Sequence, residues 1–440
     1  MLLKNATLID LNPARVELSH LRVTGSLITA RGWHLRKNAG EKVVDLKGKL
    51  LLPGMICAHT HLYSALARGM PAVKPAPKNF LEILKKIWWR LDWAHNEETL
   101  YYSALVGAMD AALSGTTLLI DHHSSPCHIR GSLKLIMKAL QEVGLRGVLC
   151  YEVTDRGGMP ERDAAIEENV DFISAHADHP RFRGLFGAHA SFTLGNDSLR
   201  ACSHLAGELD SGLHIHVSED LMDDNDARAK YHRSVIERLD EFGGLNSKTI
   251  LAHGTHLSPS DVERVKEARS WLVHNPRSNM NNSVGYAFPT RFGERVALGT
   301  DGLSSDMFAE AQYAYFKSRD AIFDNRGRKS EAKMEGGPLD VVNSLAQNSK
   351  LASEIFGAKF GRLQPGFEAD LIVLDYAAPT PITKDNLAGH LIFGLGRDNV
   401  ESVMVGGRFV VKNRRIPQLD TEKIFSKSSK LARILWDRAF

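Results

Sequence analysis

The 440-residue sequence has little cysteine and no excess of charge of either sign. Its four cysteines are scattered and form no C-x-x-C pair, which excludes a disulfide framework and indicates free thiols in a reducing compartment. The formal net charge is only +3, and no block of like charges occurs. These features argue against a nucleic-acid partner.

Long hydrophobic runs are also missing. No stretch of about 18 apolar residues occurs, so we expect no membrane-spanning helix. The first residues, MLLKNATLIDL, alternate as a β-strand does and carry no cleavable signal pattern. With 43% hydrophobic and 24% charged residues, the composition is that of a globular protein. The sequence therefore predicts a cytoplasmic globular protein that does not associate with membranes.

Short apolar, β-rich runs recur through the middle of the chain. They are 51–59, 116–121, 146–152, 183–189, 212–217, 249–253, 270–275 and 295–301. Segments with helical spacing separate several of them, as in 98–115. Continuous apolar strands that alternate with helices indicate a parallel sheet covered on both faces. Eight such strands predict a fold of the α/β class, a (β/α)8 TIM barrel over residues 53–360.

The two ends of the chain have a different pattern. Residues 1–52 and roughly 361–412 contain short strands separated by turns, and residues 421–440 have the spacing of a helix. These segments bracket the barrel in the sequence. We therefore predict that 1–52 and 361–440 together form one small composite β-sandwich domain with a C-terminal helix.

Nearly every apolar run ends in a side chain that can do chemistry. These residues are His59, His61, Asp121, Tyr151, Glu152, His189, His216, His253, His274, Asn275 and Asp301. In a (β/α)8 barrel the active site lies at the carboxyl ends of the strands. We therefore expect these side chains to meet in one site, although any one of them alone fits a structural role equally well.

Two histidine pairs suggest a metal ion. In PGMICAHTH, His59 and His61 are two residues apart on a strand and so face the same way. His214 and His216 repeat this spacing in HIHVSED, and Glu219 follows them. Zinc takes histidine nitrogens at about 2.0–2.1 Å and leaves a position for water in catalytic sites. A carboxylate beside such a water can carry protons, but Glu219 also fits a helix cap.

The motifs together resemble the amidohydrolase superfamily. Its pattern is H-x-H on the first strand, H-x-x-E after the fifth, His in LAHGTH on the sixth and Asp in ALGTDG on the eighth. PGMICAHTHLYSALARGM and VHNPRSNMN are similar to motifs of the branch of cytosine and guanine deaminases and chlorohydrolases. WWRLD, IDHHSSP and NPRSNMNNSVG are most similar to the SsnA-type aminohydrolases.

The resemblance implies a set of metal ligands and catalytic groups. The ligands of one divalent ion, Zn²⁺ with Fe²⁺ as the alternative, would be His59, His61, His216 and Asp301. Many relatives with two ions carry a bridging lysine on the fourth strand, and RGLFGAHASF has none, so we predict a single ion. His253 would orient the attacking water, Asp301 would accept its proton, and Glu219 would protonate a ring nitrogen of the substrate.

Four further residues are candidates for substrate contact. His189 matches a position that contacts substrate in this branch, and a structural histidine is the alternative. Arg68 follows the H-x-H loop and equally fits a surface salt bridge. Trp89 lies in a long segment after the first strand, where packing is the alternative. His122 belongs to the unusual Asp-His-His stretch that ends at His123 and fits either the pocket or the barrel rim.

The implied activity is a hydrolase acting on carbon–nitrogen bonds other than peptide bonds, in cyclic amidines. We expect an aminohydrolase that uses a metal-activated water on a small nitrogen heterocycle. Hydrolytic dechlorination or alkylamine displacement on a triazine-like ring fits the same residues, and a catalytically silent barrel scaffold is a further alternative. A small-molecule substrate and a homodimer are the partners that the resemblance implies.

Overall fold

The computed structural model describes residues 1–321 and 337–440, so that part of the predicted barrel segment, 322–336, lies outside the described residues. The β-strands are β1 Leu2–Leu11, β2 Ala14–Thr24, β3 Leu27–Arg31, β4 Val43–Asp45, β5 Leu50–Pro53, β6 Met55–Thr60, β7 Thr116–His123, β8 Arg146–Tyr151, β9 Phe182–Gly184, β10 Phe186–Ala190, β11 Leu213–Val217, β12 Ile250–His253, β13 Trp271–His274, β14 Val296–Leu298, β15 Leu371–Leu374, β16 Val400–Val405 and β17 Arg408–Val411.

The α-helices occupy most intervals between these strands. They are α1 Phe80–Ile83, α2 Trp89–Ala94, α3 Glu97–Leu113, α4 Ser132–Val143, α5 Met159–Ala175, α6 Asn196–Glu208, α7 Leu221–Tyr231, α8 Val235–Glu241, α9 Pro259–Glu267, α10 Pro276–Asn281, α11 Met307–Asp320, α12 Pro338–Phe356, α13 Leu387–Phe393 and α14 Thr421–Ala439. None of the described helices is long and apolar enough to cross a membrane.

Two parallel sheets form the centre of the molecule. One has the order β6-β7-β8-β9 and the other β10-β11-β12-β13-β14. They join on one side through Val153, whose amide donates to Gly187 O at 3.3 Å and whose carbonyl accepts from His189 N at 2.9 Å. On the other side Thr300 N donates to His59 O at 2.8 Å. The α/β class and the parallel strands agree with the sequence prediction.

The strands of these sheets are covered on both faces, as their continuous apolar sequences predict. All residues of β6, β7, β8 and β11 are buried. Alternate residues of neighbouring strands, among them Ile56, Ile120, Val148 and Val273, contribute to one interior cluster. The opposite faces pack against the helices. The polar residues at the carboxyl ends are therefore held on a rigid, close-packed support.

Both ends of the chain contribute to a further sheet with the order β17-β16-β15-β5-β1-β2-β3, in which β4 also pairs with β1. The strand β5 lies between β1 and β15 and thus links the two ends. Met55 starts β6 two residues after β5 ends at Pro53, so the chain passes directly from this sheet into the barrel.

The C-terminal helix lies apart from that sheet. Leu431 and Leu435 of α14 share an apolar cluster with Leu66 and Leu91, and α14 contacts α2 and α3. Trp436 Nε1 donates to Leu66 O at 2.8 Å. The helix therefore covers the segment that follows the first barrel strand. All four cysteines are free thiols, as predicted.

A buried ion cluster connects the barrel to the end sheet. Arg146, the first residue of β8, is 3% exposed and donates to Asp370 Oδ2 at 2.8 Å and to Glu368 Oε2 at 2.6 Å. Its third contact is Pro180 O at 2.8 Å. The guanidinium group therefore compensates two carboxylates that precede β15, one of which is almost completely buried.

We predict that Arg146→Met strongly destabilises the protein. Removal of one partner leaves the Asp370 carboxylate buried without a cation, which costs roughly 3–5 kcal/mol. Urea denaturation followed by tryptophan fluorescence should show a clearly lower midpoint. The control is Arg130→Met, because the side chains of the Arg130–Glu167 pair are 68% and 58% exposed and should change the midpoint little. Equal midpoints for the two variants would contradict a structural role of the buried cluster.

Candidate metal centre and active site

Side chains from three strand ends meet at the carboxyl end of the barrel. The ligand atoms of His59, His61, His216 and Asp301 all lie within 4.8 Å of one another. Asp301 Oδ1 is 3.0 Å from His59 Nε2 and 2.9 Å from His61 Nε2. His61 Nε2 is 3.3 Å from His216 Nε2. The structure thus brings together the four ligands that the resemblance implies.

The backbone around these ligands is unusually constrained. A Cβ on Gly299 would lie 2.7 Å from His59 Cβ and 2.4 Å from Asn275 Oδ1, so only glycine allows the chain after β14 to approach β6 this closely. His253 and Asp301 have φ angles of 75° and 51°, in the left-handed region that side chains rarely adopt. Such strain is typical of functional sites, where the surrounding structure holds it in place.

Hydrogen bonds on the outer nitrogens fix the tautomers of two rings. His61 Nδ1 donates to His122 O at 2.5 Å, and His216 Nδ1 donates to His189 O at 2.8 Å. Both partners are backbone carbonyls, which can only accept. The two Nε2 atoms therefore face each other across 3.3 Å, and a proton or a metal ion must lie between them.

The charges of the cluster agree with this requirement. Burial lowers the pKa of His59 to about 3 and keeps this ring neutral. Burial also acts to lower the pKa of His61, but the Asp301 carboxylate beside it raises that pKa to about 10. Burial disfavours the charged form of Asp301, yet the neighbouring histidines hold its pKa well below the usual range. The four side chains thus favour one positive charge among them, beside the ionised Asp301.

The donor set fits a zinc or ferrous ion. For bonds of ~2.0–2.1 Å the ligand atoms of a tetrahedral zinc site lie about 3.3 Å apart. The 2.9, 3.0 and 3.3 Å separations in the cluster are close to that value. Three imidazole nitrogens and a carboxylate oxygen suit either metal.

Glu219 and His253 adjoin the cluster. His253 Nδ1 donates to Asn279 Oδ1 at 2.8 Å, so its Nε2 is an acceptor, and this buried atom has no hydrogen-bond partner among the described residues. It is 3.5 Å from Glu219 Oε2 and 3.8 Å from Asp301 Oδ2. Burial raises the pKa of Glu219 to about 7, and Asn282 Nδ2 donates to its Oε1 at 3.1 Å. Glu219 can therefore hold a proton near neutral pH.

An open pocket lies over the cluster. Its lining includes five aromatic side chains, those of Tyr63, Phe80, Trp88, Trp89 and Phe192. His61, His216, Glu219 and Asp301 also line the pocket. An aromatic lining beside these polar groups is a suitable arrangement for a small heterocycle.

The four candidates for substrate contact differ in whether they line this pocket. His189 and Trp89 line the pocket. His122 is fully buried and does not line it, but its Nδ1 is 3.0 Å from Glu152 Oε1. The side chain of Arg68 is 62% exposed and pairs with Asp110 at 3.2 Å, outside the described lining of this pocket. These cases could not be separated from the residue pattern alone, because the exposure of a side chain depends on how the loops fold.

Three buried acids of the pocket, Asp92, Glu152 and Asp223, were not predicted to be metal ligands, catalytic groups or substrate contacts. Glu152 follows β8, and Asp92 belongs to α2. Glu152 was visible as one of many polar residues at strand ends, but its pairing with His122 requires the register of β7 and β8. Asp92 follows Trp88 and Trp89 in the chain, and no motif in the sequence marked it as a site residue. His61, His122, Glu152 and His216 form a second group of potential ligands.

The comparison with known families agrees with this geometry. A model of the amidohydrolase family matches residues 50–410. The chain belongs to the amidohydrolase family. It is therefore a hydrolase, as the sequence motifs predict. The family match covers the whole set of candidate ligands and catalytic residues.

Curated relatives of this amidohydrolase are similar over nearly their full length. The 5-methylthioadenosine/S-adenosylhomocysteine deaminase of Caldanaerobacter subterraneus subsp. tengcongensis is 28% identical, over 99% of this chain and 98% of the relative. The 5'-deoxyadenosine deaminase of Methanobrevibacter smithii is 29% identical, over 98% of this chain and 97% of the relative.

Solved structures show the same fold. A zinc-bound adenosine deaminase from Xanthomonas campestris has a TM-score of 0.84 at 21% identity, with 99% of this chain and 98% of that chain covered. The atrazine chlorohydrolase TrzN from Arthrobacter aurescens, also with zinc, has a TM-score of 0.80 at 20% identity, with 98% and 99% covered. These likenesses identify the barrel of this amidohydrolase as a TIM barrel.

We predict that His216→Ala abolishes stable metal binding. The variant loses one of four ligands, and even loss of an outer-shell partner typically costs ~10–100-fold in metal affinity. Metal content per chain, measured by inductively coupled plasma mass spectrometry after dialysis, should fall well below that of the unchanged protein. His204→Ala is the matched control, because this α6 histidine is 68% exposed and far in sequence from the site. Full occupancy in His216→Ala would remove this residue from the ligand set.

Proposed function

We propose that this amidohydrolase is a deaminase that hydrolyses an amino group from a small nitrogen heterocycle. The observation that carries the proposal is the position of Glu219, an acid that is 12% exposed and has its pKa raised to about 7, beside the ligand cluster and in the lining of an aromatic pocket. Relatives of nearly equal length are named as deaminases of adenosine-type compounds. Adenosine-type and other amino-substituted rings are therefore the first substrates to test.

We further propose that a single divalent ion, Zn²⁺ with Fe²⁺ as the alternative, is held by His59, His61, His216 and Asp301. When bound, the ion lowers the pKa of a water toward ~7 and so supplies a nucleophile at neutral pH. The absence of lysine from residues 182–190, the fourth barrel strand, supports one ion. The bound zinc in two neighbouring structures supports the choice of metal.

The chain's own residues supply the proton transfers. His253 Nε2 faces Asp301 Oδ2 at 3.8 Å, and together these two groups can orient the water and take its proton. Glu219 can give its proton to a ring nitrogen, which makes the adjacent carbon electrophilic. A C–O bond then forms at that carbon and the C–N bond breaks. Water and the amino-substituted ring thus yield ammonia and the ring carbonyl compound.

For the ends of the chain we propose the composite β-sandwich domain predicted from the sequence. The pairing of β5 with both β1 and β15 supports it, because this strand joins the N-terminal and C-terminal strands in one sheet. The barrel would then rest on this domain through the Arg146 cluster.

We predict that Glu219→Gln retains metal and fold but loses most turnover. The amide is nearly isosteric with the acid but cannot deliver a proton, and loss of general acid catalysis typically costs ~10²–10⁴-fold in rate. Ammonia release should be measured with protein loaded separately with Zn²⁺ and Fe²⁺, over a panel of purines, adenosine-type nucleosides, pyrimidines, pterins and aminotriazines.

The control is Glu208→Gln, which changes an exposed glutamate at the end of α6 in the same way. Metal-dependent ammonia release from one compound class, lost only in Glu219→Gln, would establish the deaminase. Chloride or alkylamine release from triazines without ammonia release would replace it with hydrolytic displacement. Near-normal turnover by Glu219→Gln would show that another group delivers the proton.

A further inference from the structure

Glu152 is a buried carboxylate in the pocket that the proposed reaction does not use. It follows the last residue of β8, and its side chain is 3% exposed. One oxygen, Oε1, lies 3.0 Å from His122 Nδ1. The other, Oε2, makes no hydrogen bond to the described residues and lies 3.9 Å from His189 Nε2, which also lines the pocket.

His122 fixes the orientation of this carboxylate. Its Nε2 lies 2.9 Å from His214 O, a carbonyl that can only accept, so Nε2 carries a proton. Its Nδ1 faces Glu152 Oε1, and one proton must lie between these two atoms. This charge-assisted hydrogen bond is fully buried on the histidine side. Oε1 is therefore occupied by the hydrogen bond to His122, and Oε2 remains available to accept a hydrogen bond from a ligand.

His189 presents a second acceptor beside Oε2. Thr193 Oγ1 donates to Ala190 O at 3.1 Å and accepts from His189 Nδ1 at 2.7 Å. In the neutral ring, Nε2 then carries the lone pair. Two acceptors thus lie side by side with no donor from the described residues between them.

The composition of the pocket points in the same direction. Its lining residues include six carboxyl groups and, among the described residues, neither lysine nor arginine. The carboxyl groups are those of Asp92, Glu152, Glu219, Asp220, Asp223 and Asp301. They offer acceptor oxygens to the N–H donors of a ligand.

We propose that Glu152 Oε2 and His189 Nε2 together bind an N–H donor of the substrate, and that this amidohydrolase therefore selects heterocycles with an amino group besides the one that is hydrolysed. A primary amino group has two N–H bonds and can donate one to each acceptor. A buried acceptor pair discriminates strongly against a ligand that lacks the donor, because both acceptors then stay unpaired. This inference names the substrate class of the proposed deaminase and rests on that function.

Binding measurements separate this inference from the deaminase itself. Isothermal titration calorimetry on the zinc-loaded protein should use matched probes with and without one amino group: purine and 2-aminopurine, pyrimidine and 2-aminopyrimidine, and 1,3,5-triazine and its 2-amino derivative. We expect at least tenfold tighter binding of the amino compound in at least one pair. Glu152→Gln, which replaces one acceptor oxygen by a donor, should reduce that ratio to near one without loss of metal.

The matched control is Asp220→Asn, which removes the same charge from the same pocket. It should keep the tenfold ratio, since the inference depends on a hydrogen bond and not on charge alone. A purely structural role of Glu152 would weaken both members of a pair equally and leave their ratio unchanged, which overturns the proposal. Equal binding, or no binding, of all three pairs to the unchanged protein also overturns it. If the amino compound binds at least tenfold more tightly but no compound releases ammonia, the result would support the acceptor pair formed by Glu152 and His189. It would then count only against the proposed deaminase activity.

Discussion

The site depends on hydrogen bonds that a histidine side chain on one strand donates to a backbone carbonyl on the adjacent strand. His61 donates to the carbonyl of His122 on β7, and His216 donates to the carbonyl of His189 on β10. Each ring is thereby tied to the backbone of a neighbouring strand, so the two Nε2 atoms cannot turn away from each other. The strand order of the barrel thus holds two histidine nitrogens at the 3.3 Å separation of a candidate metal site.

The closure of the barrel fixes the fourth ligand in the same way. The amides of Thr300 and Asp301 both donate to His59 O, so the last strand ends on the first. Asp301 adopts a left-handed backbone there, and its two oxygens then face different groups: Oδ1 faces His59 and His61, and Oδ2 accepts from Ser278 at 2.5 Å. One carboxylate can thus contact two groups at once because the left-handed backbone holds it between them.

Much of this arrangement could be predicted from the sequence, because side chains two residues apart on a strand point to the same side. The i, i+2 spacing of His59 and His61 placed both rings on one side, and the polar ends of the apolar runs indicated the active end of the barrel. The pairing of His122 with Glu152 could not be predicted, since it depends on the relative register of two strands. The packing of α14 on α2 and α3 depends on tertiary contacts that an amphipathic pattern does not specify.

The carboxyl groups of the pocket differ in pKa because their surroundings differ. Burial raises the pKa of Glu219 to about 7, whereas the histidines around Asp301 and Glu152 outweigh burial and hold their pKa values well below the usual range. Proton transfer in two directions requires one acid that retains its proton and can donate it, and a second acid that stays ionised and can accept one. Glu152 stays ionised as well, and its Oε1 lies 3.6 Å from His61 Nδ1, the ring nitrogen that is not in the ligand cluster. An ionised carboxylate of the pocket on that side of the ring is suited to bind the substrate, so that groups of the same chemistry can serve catalysis and recognition.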